Sequence, residues 1–242
     1  MSKKINLYQF LKSSGLFPTK QEISRTVSKG LIKIDGRVTT SLQFQFNPNQ
    51  KKVFFQDKEV KLISKKYFVI NKPMDYSCQR GDSYPDVVTL IETDKKVWNS
   101  LFPVGRLDIP SRGLLIVTND GDFSKNILEP KKKISKTYQV ILKQTINESQ
   151  AKKLREGTVI EIDGKHYFTS PAKVKILREN SAEITITEGK RRQVRKMFAY
   201  VDNKVMDLLR VSIGNLKLSN LKISEGQWVE LSEKEIKKSI FG

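Results

Sequence analysis

One cysteine, Cys78, and one histidine, His166, are all the thiol and imidazole that the 242-residue chain contains. A lone cysteine excludes an internal disulfide, and one Cys with one His cannot furnish a Cys/His zinc site. A single His also weakens a Ser-His-Asp reading, because no nucleophile motif flanks His166. Neither the phosphate-loop pattern nor the dinucleotide-binding glycine pattern occurs. Long apolar runs are missing too: Leu114–Val117 is far too short to span a bilayer. Ile5 to Leu11, interrupted by Asn6 and Gln9, is not expected to act as a signal-peptide core. A reducing, cytoplasmic setting is the default expectation.

What the chain does have is positive charge. Lys and Arg number 45 against 26 Asp and Glu, a net charge of +19 at pH 7. Such an excess is the footprint of a nucleic-acid binder, set against the plainer reading of a Lys-rich protein with a solvated surface. At 38% hydrophobic residues the chain can build one or two cores, so wholesale disorder is not expected.

Residues 1–62 read as a small unit carrying 12 basic and 4 acidic residues, a charge of +8. Ile5, Leu7, Tyr8 and Leu11 have mostly helical spacing, and Gly15 ends that helix. Thr19 is placed to cap a second helix, with Glu22 completing a capping box. Ile23 and Val27 form its apolar stripe, with Lys20, Arg25 and Lys29 mostly away from it. Leu31–Ile34, the Asp35-Gly36 turn and Arg37–Thr39 predict a hairpin, and Lys51–Phe55 a further strand. Gln56–Lys66 is polar and Lys-rich and reads as a linker. Residues 63–242 then predict an α+β domain dominated by antiparallel strands. In it, Leu114–Val117 is bounded by Gly and turn residues and should be a buried strand. Lys136–Leu142, Lys173–Leu177 and Ala182–Thr187 alternate in period two, and Val159–Phe168 reads as a hairpin. Arg191–Val201 reads as a basic helix with Val194, Phe198 and Val201 on its core stripe.

With metal and His chemistry excluded, carboxylates, Tyr, Lys and Arg must carry any reaction. Asp108 sits beside Arg106 in a loop containing Gly105 and Pro110, just ahead of the buried strand. It can serve as a nucleophile or a general base; equally, it can cap the turn before Pro110 and Ser111. The basic helix is either a solvated surface or an anion-binding face for phosphates.

The motifs themselves are more specific. Gly105-Arg106-Leu107-Asp108, with Ser111, Gly113-Leu114-Leu115 and Thr118–Gly121, resembles the signature of the RsuA-type pseudouridine synthases. Lys136-Thr137-Tyr138 is similar to that family's second motif and Glu188–Phe198 to its third, with Asn71-Lys72-Pro73 similar to the opening of its catalytic domain. Gly15 through Thr39 resembles the small RNA-binding module of the ribosomal-protein-S-four type. One departure stands out: Arg192 occupies a place where the third motif commonly has His.

The resemblance implies a pseudouridine synthase fold with an N-terminal RNA-binding module. The enzyme would isomerise uridine in ribosomal RNA without metal or cofactor. It makes Asp108 the catalytic residue, places Tyr138 against the base and pairs Arg195 with Asp108. Arg106 would fill the gap left by an everted nucleotide. Lys72, Lys190, Arg191, Arg192 and, in the N-terminal unit, Lys20, Arg25, Lys29 and Lys33 are candidate RNA contacts. The expected partner is ribosomal RNA or a precursor ribosomal particle, met by a monomer with no membrane involved. The short C-terminus, lacking a basic tail, leans towards small-subunit over large-subunit RNA. Two other classes stand beside this one: a non-catalytic RNA-binding assembly factor that keeps the fold, and a carboxylate-based glycoside hydrolase. The latter needs two suitably spaced carboxylates, and a chain of this charge is an odd partner for neutral sugars.

Overall fold

The computed structural model describes residues 4–242, which fall into two compact units. One holds the chain up to Lys66 together with Ile91–Phe102; the other holds Tyr67–Leu90 and Pro103–Gly242. The sequence-based boundary after residue 62 lies close to the first change-over. It does not anticipate the return of Ile91–Phe102 to the N-terminal unit.

In that unit, Asn6 and Gln9 form a reciprocal capping box on the helix Leu7–Ser13. Thr19 Oγ1 accepts from the Glu22 N–H at 3.1 Å and starts the helix Lys20–Ser28. Ile23 and Val27 turn inward against Leu7, Leu11, Ile32 and Val53, while Lys20, Arg25 and Lys29 are exposed. The Asp35-Gly36 turn has positive φ at both residues, 47° and 80°, the geometry that joins tightly paired strands. Four strands pair in the order Arg37–Val38, Ile32–Ile34, Val53–Phe55, Lys58–Val60. The last of these corrects the linker reading: Gln56 and Asp57 take left-handed φ values of 49° and 60° and turn the chain back into the sheet. Neither residue type announces that conformation as Gly would.

The larger unit is built on a mixed sheet. Its strands run in the order Lys173–Arg178, Ser181–Ile186, Lys136–Leu142, Val205–Ile213, Arg112–Thr118, Tyr67–Lys72, Trp228–Leu231. All neighbours along this path are antiparallel except Val205–Ile213 against Arg112–Thr118, which is parallel. Tyr67, Val69, Leu114 and Ile116 pack against the helices Gly121–Leu128 and Glu233–Phe241. Asp120 starts the first of these helices by accepting from the N–H groups of Asp122 and Phe123, and accepts a hydrogen bond from the Tyr67 hydroxyl at 2.8 Å. That bond and burial together hold the Tyr67 phenol far above its ordinary pKa, with burial the larger cause. The basic helix is shorter than expected, Gln193–Tyr200. Arg192 is its left-handed N-cap residue, φ 54°, and Arg191 lies outside it.

The parallel pair depends on Gly113, whose φ is 106°. A Cβ there would overlap the Arg210 carbonyl oxygen and lie 2.8 Å from the Arg210 amide nitrogen, both fixed backbone atoms. Gly113→Ala should therefore lower stability by about 3 kcal/mol, from strain and overpacking together. That is a melting-point drop of roughly 10 °C for a chain of this size. Thermal denaturation checks it; a drop of less than about 2 °C would show that the strand pair yields to a methyl group.

Candidate active site

The paired backbone sets one row of side chains across four strands. Lys72 is directly opposite Gly113, Gly113 lies beside Arg210, and Arg210 is opposite Tyr138. Directly paired residues point to the same face, so Lys72, Arg210 and Tyr138 share a face, with a gap where Gly113 has no side chain. Lys136, two residues from Tyr138 on its strand, points the same way.

The Asp108 loop is tied down by Lys72, which is 0% exposed. Its ammonium donates to the carbonyls of Pro73 at 2.9 Å and Ser111 at 2.8 Å, and reaches those of Asp108 and Ile109 at 3.4 Å. Burial lowers its pKa, opposed by the nearby Cys78, Asp108 and Asp75. This corrects the expectation of an RNA contact: Lys72 is sealed in the core and holds the loop from beneath. The loop closes on its own backbone, the Ser111 N–H donating to the Asp108 carbonyl at 2.9 Å. The Asp108 carboxylate has no hydrogen bond or ion pair to the described residues. A turn-capping Asp would have spent its carboxylate on a backbone N–H; this one is left available.

That carboxylate borders a cavity of about 360 Å³, within the usual range for a small-ligand site. Tyr138, Lys136 and Arg210 are among its lining residues, with Arg192 and Leu208. Tyr138 is 7% exposed. A second cavity of about 350 Å³ also borders Asp108 and is lined by Cys78, Gln79, Arg106, Arg191 and Arg192. Arg106 is exposed and donates to Gln79 Oε1 at 2.8 Å. The Cys78 thiol accepts the Leu107 N–H at 3.4 Å, and burial pushes its pKa up.

Arg195 approaches the loop but does not form the expected ion pair with Asp108. Its guanidinium donates to the carbonyls of Val205 at 2.9 Å and Pro110 at 3.1 Å, and reaches Ser111 Oγ at 3.5 Å. Burial lowers its pKa against the opposing pull of the Asp108 charge. It therefore clamps the backbone after Asp108 and contributes field rather than a direct bond. The rest of the third motif secures the neighbouring hairpin. Glu188 accepts from Gln193 Nε2 at 2.6 Å, from the Tyr167 hydroxyl at 2.6 Å and from the Ser170 N–H at 3.0 Å. Lys190 lies over the Tyr167 ring at 4.4 Å, and exposed Arg191 pairs with Asp163 at 3.2 Å. Contacts this exposed contribute little and can be exchanged for phosphate oxygens. Of the four N-terminal candidates, Lys33 is engaged with Asp57 at 2.9 Å.

Lys136 and Arg210 are site residues that the sequence reading does not include. A usable signal was present for each. Lys136 stands two places from Tyr138 on an alternating strand, and Arg210 interrupts the apolar run Leu208-Leu209-Arg210-Val211.

A family model described as RNA pseudouridylate synthase matches residues 66–200. The chain belongs to the RNA pseudouridylate synthase family. An uncharacterised RNA pseudouridine synthase of Aquifex aeolicus is 33% identical over 96% of this chain and 92% of its own length. Ribosomal small subunit pseudouridine synthase A of Haemophilus influenzae is 32% identical over 92% of this chain and 94% of its own. A crystal structure of a pseudouridylate synthase superposes with a TM-score of 0.70 at 31% identity, covering 98% of this chain and all of that one. These relatives place the synthase in the RsuA-type branch and agree with the α+β architecture. No helix among the described residues of the synthase is long and apolar enough to cross a membrane.

Proposed function

We propose that the synthase isomerises one uridine of small-subunit ribosomal RNA to pseudouridine, with Asp108 as the reacting carboxylate. The observation that carries the role of Asp108 is its unspent side chain, held by its backbone at the edge of a cavity that Tyr138 also lines. The small-subunit target is supported by the names of the relatives in Haemophilus influenzae and Escherichia coli, the latter 30% identical over 88% of this chain. Naked RNA or a precursor particle is the proposed partner, and the synthase acts as a monomer in the cytoplasm.

The reaction is an isomerisation, so its atoms must balance internally. Whichever atom the carboxylate engages first, the N1–C1′ bond breaks and its electron pair stays with the base. The base turns, C5 bonds to C1′, and the C5 proton leaves while N1 gains one. Tyr138 faces the base, and Arg195 keeps the Asp108 loop in register. A uridine inside a helical stack is out of reach, so the nucleotide must turn out at a cost of a few kcal/mol. Phosphate contacts offset that cost. Release of tritium from carbon-5 of labelled small-subunit transcripts or precursor particles tests the reading. Release only from large-subunit RNA would overturn the target, and release from neither would overturn the activity.

Residues 1–62 are the proposed RNA grip, through Lys20, Arg25 and Lys29 on the exposed face of one helix and Lys33 beyond it. Reversing Lys20, Arg25 and Lys29 to Glu should lower RNA affinity and flatten its dependence on the logarithm of salt concentration by about one unit per lost contact. Filter binding across a salt series reads this directly. An unchanged slope would remove that helix from the interface.

A further inference from the structure

Two cations lie in the floor of the Asp108 cleft, and neither forms an ion pair among the described residues. Lys136 is 8% exposed and Arg210 3%. Lys136 spends one proton on the Ile134 carbonyl at 3.1 Å. Arg210 spends its Nε–H on the Leu114 carbonyl at 2.7 Å, and its Nη2 is buried without a hydrogen-bond partner among the described residues. Both side chains line the same cavity as Asp108 and Tyr138, on adjacent strands. A buried, unpartnered donor is costly, and two like charges side by side raise that cost. Burial, with Arg210 as the second cause, lowers the Lys136 pKa from its ordinary value to about 8. Folded proteins rarely keep such a pair without a use for it.

The geometry points to a base-anion site: Lys136 and Arg210 receive the carbonyl oxygens of the uracil ring and stabilise the negative charge it carries once the N1–C1′ bond has broken. This assignment rests on the synthase acting on uridine. The charge left by bond cleavage spreads over the ring onto its carbonyl oxygens, where preorganised donors act most strongly in a water-poor pocket. The remaining charged groups at the cavity are Asp108 and Arg106 from the loop, and Lys190, Arg191 and Arg192 ahead of the basic helix. The four cations among these are exposed, suiting phosphates of the RNA strand, whereas the two floor cations are too deep for a phosphodiester that must lead back to solvent. A phosphate oxygen of the everted nucleotide offers the same donors a second acceptor, and the test separates the two sources.

The test compares Lys136→Met, Lys136→Arg and Arg210→Lys with the parent protein, by tritium release under single-turnover conditions and by RNA binding. For a base-anion site, Lys136→Met lowers the rate at saturating RNA roughly 100-fold or more, the usual loss when one preorganised donor is removed. Its RNA Kd stays unchanged. Lys136→Arg keeps much of the rate. In the parent, kcat/KM, which reports free-enzyme ionisations, falls as pH rises through about 8. In Lys136→Arg that fall moves to higher pH, because guanidinium does not titrate there. A purely structural role would not move this profile. A raised Kd and shallower salt slope with an unchanged saturated rate would assign the cations to phosphate and overturn the proposal. So would a pH profile identical in parent and Lys136→Arg. If Lys136→Met fails to fold, Lys136→Arg and Arg210→Lys still decide through their profiles and rates. A parent protein that binds RNA but releases no tritium overturns the activity itself, a result distinct from loss in the variants alone.

Discussion

Asp108→Ala should abolish tritium release from ribosomal RNA, by roughly four orders of magnitude or more, the scale on which enzymes lose rate when the group that enters the reaction is removed. Two other properties should barely move. The Asp108 carboxylate makes no hydrogen bond or ion pair with the described residues, so its removal leaves no donor unpaired; only its field on Lys72 and Arg195 is lost, and the melting temperature should fall little. RNA affinity should hold or tighten slightly, since the variant lacks a negative charge beside an anionic ligand. Rate, calorimetry and filter binding on one preparation check all three. An Asp108→Ala protein with full turnover would move the nucleophile elsewhere. One that lost RNA affinity in step with rate would make Asp108 a positioning group.

Lys72→Met should fail in a different way. Its ammonium holds four carbonyls of the chain that flanks Asp108. Methionine has nearly the same length but no donor, so the Pro73 and Ser111 carbonyls lose charged hydrogen bonds. Part of that loss is returned, because a buried ammonium is itself costly to desolvate. The net expected effect is about 3 kcal/mol of stability, close to 10 °C in melting temperature for a chain of this size. Turnover should fall about 100-fold even below the new melting point, because a displacement near 1 Å of a reacting group costs that much. Melting curves and single-turnover rates at low temperature test the pair of effects. If stability falls and the rate does not, Lys72 supports the core without aligning the loop.

What the sequence disclosed follows a physical division. Signals confined to a few neighbours held: Thr19 as a cap, Asp35-Gly36 as a tight turn, Leu114–Val117 as a buried strand, and the hairpin Val159–Phe168. The features that escaped depend on partners far along the chain. Ile91–Phe102 packs with the N-terminal unit, where the Asn99 side-chain amide donates to the Gly15 carbonyl at 3.0 Å. Lys72 reads as a surface lysine because nothing near it indicates that its strand pairs with Gly113 or that a loop will cover it. The motif predicts a carboxylate partner for Arg195, but the carbonyls that claim it come from Pro110 and Val205, brought together only by tertiary packing. At the site, the motifs point to Asp108, Tyr138 and Arg195, whereas Arg210 and the atoms each residue uses emerge only from the paired strands.

The strand Val205–Ile213 sits between Lys136–Leu142 and Arg112–Thr118, and it is the last of the three to be made. A slip of one residue in its pairing would turn Arg210 out of the cleft and Leu209 into it. Before that strand inserts, the row from Lys72 to Tyr138 is broken in the middle, and the parallel pair that completes it is of the slow, non-local kind. Asp108 and Tyr138 therefore stand on elements that meet in one row only through a strand that follows both of them in the chain. The site is thus assembled at the centre of the sheet, from segments far apart in the chain.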